Sequence, residues 1–202
     1  MINIPKNGIE LAESIIQKTD NKVKRIYWTN EEIDKWFGKR SAKNILESGN
    51  TCFMNPCSDL TLVSSFIMDQ SAIPHEWIIE EHLPTEDFNF NRLHFALEFK
   101  YHGKIHILDY KRLNEVYAYE GEYNGRPDLS TATSIKIPST QIDLKKSLYE
   151  IISNSKIKDS LIDYSLEKNL NRLKQDNSLE NYKSFKQLYG ESFIIKQLQN
   201  QP

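Results

Sequence analysis

Apolar positions along the chain follow helical spacing first, strand alternation next, and helical spacing again. Ile9, Leu11, Ala12, Ile15 and Ile16 gather toward one side of a helix predicted over residues 9–19. Thr29-Asn30-Glu31-Glu32 has the form of a capping box, so a second helix is expected from there to about residue 37. A third, over 40–48, is closed by Gly49. Asn55-Pro56-Cys57 then introduces Leu60, Leu62, Val63, Phe66, Ile67 and Met68 at helical spacing, with Asn55 as the expected N-cap and Pro56 at the first helical position.

Beyond this helix the period changes to two. Residues 73–81, 93–100 and 105–110 read as strands, and Leu93, Phe95, Leu97 and Phe99 alternate against His94, Ala96, Glu98 and Lys100. Tyr101-His102-Gly103-Lys104 is a tight-turn signal, with glycine where positive φ is needed. From about residue 141 the spacing is helical again, through Leu144, Leu148, Ile151 and Ile152 and on past Leu161, Leu170 and Leu173. The stretch 120–139, holding Gly121, Gly125, Pro127 and Pro138, is the expected boundary. The prediction is an α+β fold, with residues 1–140 forming a core of helices packed on an antiparallel sheet and 141–202 a helical extension.

Composition narrows the function classes. Hydrophobic residues at 39% and charged residues at 27% fit a globular chain. A net charge of −2 gives no electrostatic reason to expect nucleic acid as the main partner. No apolar run approaches the roughly 20 residues that span a bilayer, and the N-terminus lacks a signal-peptide layout. The expectation is a cytoplasmic protein without a membrane partner, acting on a peptide or protein substrate. Two cysteines, Cys52 and Cys57, do not make a disulfide scaffold and suit a reducing compartment.

The chemistry centres on Cys57. A thiol attacks a carbonyl only as thiolate, so a nucleophilic cysteine needs an influence that lowers its pKa of about 8.5. The first turn of a helix supplies one through its dipole and unpaired N–H groups, which also suit an oxyanion on the substrate. Cys57 has that placement by its flanking signals, and Cys52 does not. A base must then be oriented by a third group. A turn at His102-Gly103 pairs Ala96 with Asp109, which puts His94 and Asp109 on one sheet face as diagonal neighbours about 7–8 Å apart at the backbone. A carboxylate can reach an imidazole across that gap and fix its tautomer.

A cysteine opening a helix, a histidine on a later strand and an aspartate on the next strand resemble the transglutaminase-like (papain-like) cysteine hydrolases and acyltransferases. Asn55-Pro56-Cys57-Ser58-Asp59-Leu60, then Ala72-Ile73-Pro74 and a strand, look like that superfamily's nucleophile region. Leu93-His94-Phe95 and Ile107-Leu108-Asp109-Tyr110 look like its other two motifs, and the likeness covers about residues 40–120. The resemblance implies cleavage or transfer at an amide or related acyl bond through a thioester, with no cofactor. Cys57 would be the nucleophile, His94 the base and acid, and Asp109 its orienter. Superfamily members complete the oxyanion hole with a further side chain, for which Asn50 and Asn55 are the candidates here.

Other readings compete with this one. Cys57 could be a small buried hydrophobe, and Cys52 a structural residue, a cleft neighbour or its disulfide partner. Cys52 and Cys57 with His75 and His82, or with His102 and His106, lack the tight paired spacing of zinc ligands. His102 and His106 straddle the turn and are expected to face solvent. Trp77, with Tyr117, Tyr119 and Tyr123, lines a substrate groove or fills the core, and Glu80-Glu81 reads as a solvated strand end. A non-catalytic binding domain of the same fold would keep the cleft but not need the triad. A helical interaction module would bind its partner through 141–202 and be indifferent to Cys57→Ala.

Overall fold

A computed structural model of the chain describes residues 5–53, 56–83, 92–110, 116–123 and 131–154, together with 170–171 and 174–175. Helix α1 (Gly8–Asp20) begins where the Asn7 side chain accepts from the Glu10 N–H at 2.9 Å. The Thr29/Glu32 capping box forms at the head of α2 (Asn30–Trp36). Helix α3 (Ala42–Ser48) has a second such box, Ser41/Asn44, and ends on Gly49 in the left-handed region at φ 66°. Strands β1 (Lys24–Ile26), after α1, and β2 (Asn50–Cys52), after α3, pair in parallel. At three residues each, they are too short to announce themselves by alternation.

Helix α4 (Cys57–Gln70) is followed by the main sheet of β3 (His75–His82), β4 (Arg92–Tyr101), β5 (Lys104–Tyr110), β6 (Val116–Glu120) and β7 (Thr131–Pro138). Its order is β6-β5-β4-β3-β7 and every neighbouring pair is antiparallel. The fold is therefore α+β with an antiparallel sheet. The β4–β5 turn uses His102 at φ 48° and Gly103 at φ 78°, and it pairs Ala96 with Asp109, as the sequence spacing predicts.

One sheet face holds the core. Trp77 and Ile79 of β3, Phe95 and Leu97 of β4, and Leu108 and Tyr110 of β5 meet Leu60, Val63 and Met68 of α4. Polar groups are threaded through this interface in satisfied pairs. Tyr110 and Thr19 both bond the Ser64 hydroxyl of α4, at 2.6 and 3.0 Å, which spares the cost of burying them alone. A second cluster, of Trp28, Ile33, Phe37, Cys52 and Phe53, lies between the N-terminal elements.

Two expectations change here. Strand β7 occupies much of the stretch expected to be a boundary loop, and pairs with β3 at the sheet edge. Its apolar residues Ile135 and Ile137 alternate correctly but are outnumbered by the threonines and serine around them, which read as a loop. Packing also crosses residue 140 without a break. Leu144, Leu148, Ile151 and Ile152, the last three on α5 (Leu148–Asn154), belong to the main core. Leu170 lies against the second cluster and Lys174 pairs with Asp34 of α2. Most of the helical pattern expected after residue 154 falls outside the described residues. Among those described, no helix is long and apolar enough to cross a membrane.

Candidate active site

Cys57 is the first residue of α4, and the cap position before it is held by Pro56 rather than by the expected Asn55. Asn55 lies outside the described residues. Pro56 supplies no side-chain cap, and Leu60 is the residue whose N–H closes the first helical bond, to the Pro56 carbonyl at 2.9 Å. The N–H groups of Cys57 and Ser58 thus stand ahead of the helical ladder, at the positive end of the dipole.

A carboxylate two residues along would cancel that field if it were left alone. Asp59 is buried, and burial pushes its carboxyl up, while the Arg40 guanidinium and the Thr51 hydroxyl pull it back. Arg40 forms a short ion pair with Asp59, and Thr51 donates to the same carboxylate oxygen at 2.9 Å. The guanidinium also donates to Ser48 Oγ at 2.7 Å and lies over the Trp28 ring at 4.7 Å. Arg40 therefore fixes the first turn of α4 to α3, Thr51 ties it to β2, and the guanidinium neutralises the acid closest to Cys57 in sequence.

His94 and Asp109 come from β4 and β5. His94 Nε2 and Asp109 Oδ1 are 2.6 Å apart, and both residues are buried. The β4–β5 ladder ends at Ala96↔Asp109, whereas the β3–β4 ladder continues to His82↔Arg92. Just past that last β4–β5 pair, the Phe95 carbonyl accepts from Thr61 Oγ at 3.3 Å, tying α4 to β4 about one turn from Cys57. The imidazole is hydrogen-bonded to Cys57 as well as to Asp109. With Nε2 on the carboxylate, Nδ1 is the ring nitrogen left for the thiol. Burial opposes charge on His94, but the Asp109 carboxylate, followed by Cys57, outweighs it and raises the imidazole to about 10. The arrangement can hold an imidazolium beside sulfur and move a proton between them.

The other expected site residues fall elsewhere. Asn50 is on β2, where its amide accepts from the Trp28 indole at 3.2 Å and donates to the Ser48 carbonyl at 3.1 Å. Both of its polar ends are engaged in holding the N-terminal elements. Trp77 is a core residue and not a groove lining: it is 0% exposed, its indole donates to Ser65 Oγ at 2.9 Å, and Phe95 meets it edge-on. Cys52 sits in the second cluster, and neither cysteine is in a disulfide. His106 does not face solvent but is buried in a stack on Phe99. Among the described residues, no three His, Cys, Asp or Glu side chains gather as a metal cluster.

Two groups escaped the sequence reading. Arg40 and Asp59 gave no signal, because an ion pair between a helix-leading arginine and a first-turn aspartate has no fixed spacing. Glu80 was misjudged. It is buried at 3% exposure, beside His82 and within reach of Tyr123. Residues at the end of a strand look solvated in sequence, and nothing local reports what covers them.

No protein-family model, no curated protein and no solved structure matches this chain.

Replacing Arg40 by Ala leaves Asp59 buried without its cation. The expected loss is about 3–5 kcal/mol in chemical denaturation, and Asp59→Asn in that background should recover part of it. A second expectation concerns pH. His94 is raised above its ordinary value of 6.5, so its bound proton contributes stability that is complete below that value and is lost as pH rises through the folded value. In Cys57→Ala protein, where no thiol titrates at this position, stability should fall from pH 7 toward 10. Adding Asp109→Asn should flatten that slope.

Proposed function

We propose that this protein is a cysteine-dependent hydrolase or acyl transferase, acting on an amide or related acyl bond through a thioester. The observation that carries the reading is the hydrogen-bonded array Cys57–His94–Asp109, at the N-terminal end of α4. Three residues of the right types, drawn from a helix and two strands, come together, with Asp109 on His94 Nε2 and Cys57 bonded to the same imidazole. Chance burial of a cysteine does not require that order.

The chemistry follows from the geometry. His94 takes the Cys57 proton, and Sγ attacks the substrate carbonyl carbon to form a C–S bond, sending the π pair to oxygen. The N–H groups of Cys57 and Ser58 are donors suited to that oxyanion. Collapse re-forms the carbonyl and breaks the bond to the leaving amine, which takes its proton from His94. Water then attacks the thioester, giving a proton to His94, and the acid is released as Sγ departs. An amine in place of water would complete a transfer instead. Hydrolysis is the favoured outcome, of protease, amidase or deamidase type, since nothing marks a dedicated amine-acceptor site. Asp109 orients the imidazole and stabilises its charge without accepting the proton, as in other nucleophile–base–acid triads.

This reading makes the sheet and α4 a transglutaminase-like core, working in the cytoplasm on a peptide or protein. Its test needs no natural substrate. Incubated with an acyl thioester of N-acetylcysteamine, the protein should acquire one acyl group on Cys57, located by peptide mass mapping, and then lose it to water. His94→Ala should slow acylation by about 10²–10⁴-fold. Equal acylation of Cys52, or undiminished turnover by Cys57→Ala, would overturn the reading.

A further inference from the structure

The sheet face that carries His94 and Asp109 changes character along its length. In its apolar stretch Ile78, Ala96 and Ile107 form a small hydrophobic cluster with Tyr119 and Tyr123. Across the row after Ile78 and Ala96, β3 presents Glu80 directly opposite His94, in register. His82 follows on the same face, its Nε2 3.3 Å from Glu80 Oε2 and its ring 6.1 Å from that of His94. From the segment after β6, the Tyr123 hydroxyl donates to Glu80 Oε2 at 2.8 Å. Burial, followed by the nearby Asp109 and Glu80 carboxylates, pushes the Tyr123 phenol up, so the hydroxyl keeps its proton and remains a donor.

A buried carboxylate is costly, and on this face an apolar residue like its neighbour Ile78 would serve the fold better. Its placement has a use at the imidazole. His94 Nε2 is taken by Asp109, and Cys57 also bonds the imidazole, so a group across the strand pair acts on the ring chiefly through charge. Glu80 is directly across the strand pair, where paired Cβ atoms lie about 4.5–5.5 Å apart.

We propose that Glu80 is a second carboxylate of this site, a positioning residue that stabilises charge on His94 from the β3 side while the Tyr123 hydroxyl holds its own carboxylate in place. The inference rests on the reading of Cys57, His94 and Asp109 as the reacting groups. Among the described residues, the charged and titratable groups around the imidazole are Asp109 from β5, Cys57 from α4, Glu80 and His82 from β3, and Tyr123 after β6. Glu98, farther along β4 on this face, is engaged by Lys136 of β7 at 2.7 Å. Two carboxylates thus flank one imidazole. Removing either weakens its hold on the proton, and removing Glu80 does so without touching either ring nitrogen.

The test is a titration of the His94 imidazole by NMR in protein labelled with ¹⁵N-histidine, its signal identified by its loss in His94→Gln. Glu80→Gln keeps the shape and removes the charge, and should lower the His94 pKa by on the order of one unit. Tyr123→Phe should move it the same way by less, and Glu80→Asp should leave it near the wild-type value. A His94 raised in wild type but unmoved by Glu80→Gln overturns this inference and leaves the triad standing. A His94 titrating near 6.5 in wild type overturns the triad itself. Should Glu80→Gln fail to fold, Tyr123→Phe decides alone: no shift there contradicts the proposal.

Discussion

Side chains on a strand point alternately to opposite faces, so a slip of one residue between β4 and β5 would send Asp109 to the other side of the sheet from His94. The short turn at His102-Gly103 prevents that slip. It fixes Ala96 opposite Asp109, and from that single pairing come the 2.6 Å contact to His94 and the common core face of Phe95, Leu97 and Leu108, while the β3–β4 register places Glu80 on the shared polar row. The apolar set locks the same register from the opposite face, since a slip would expose those residues as well. Core and site are therefore specified together.

Cys57 comes to His94 by a different route. Helix α4 is anchored along its length by Leu60, Val63 and Met68 in the core and by Thr61 on the Phe95 carbonyl, while its first turn is held by Arg40 through Asp59. Pro56 at the cap position offers the opening N–H groups no side-chain cap of its own. The helix end therefore keeps its affinity for negative charge, whether on sulfur or on a substrate oxygen. The one acid in that turn is neutralised by a cation that itself stacks on tryptophan. Electrostatics on the helix side favour an anion, and on the strand side, with Asp109 and Glu80, they favour a cation. The Cys57–His94 pair lies where the two meet.

Much of this could be read before any coordinates. Periodicity located the helices and the three central strands, and the glycine of the turn fixed the register that pairs Ala96 with Asp109. The sequence-derived choice of Cys57, His94 and Asp109 corresponds to residues that do meet. What escaped notice has a common physical character. Strands β1 and β2 are too brief to show a period, and β7 hides its two isoleucines among hydroxyl residues. Burial is a property of the assembled sheet, so the sequence leaves Trp77 open between groove and core and makes Glu80 look solvated: an indole satisfied by Ser65 vanishes into the core, and a carboxylate satisfied by Tyr123 can do the same. Asn50, offered as an oxyanion donor, gives both ends of its amide to the N-terminal elements.

The claim on which everything else rests is that His94 activates the Cys57 thiol. The direct measurement is the alkylation rate of Cys57 by iodoacetamide as a function of pH, with Cys52 as an internal reference and His94→Ala as the control. The account predicts that Cys57 reacts as a thiolate well below pH 8, that Cys52 does not, and that His94→Ala removes the difference. Slow alkylation of Cys57, unchanged when His94 is lost, would contradict it and leave Cys57 as a buried thiol in a binding protein.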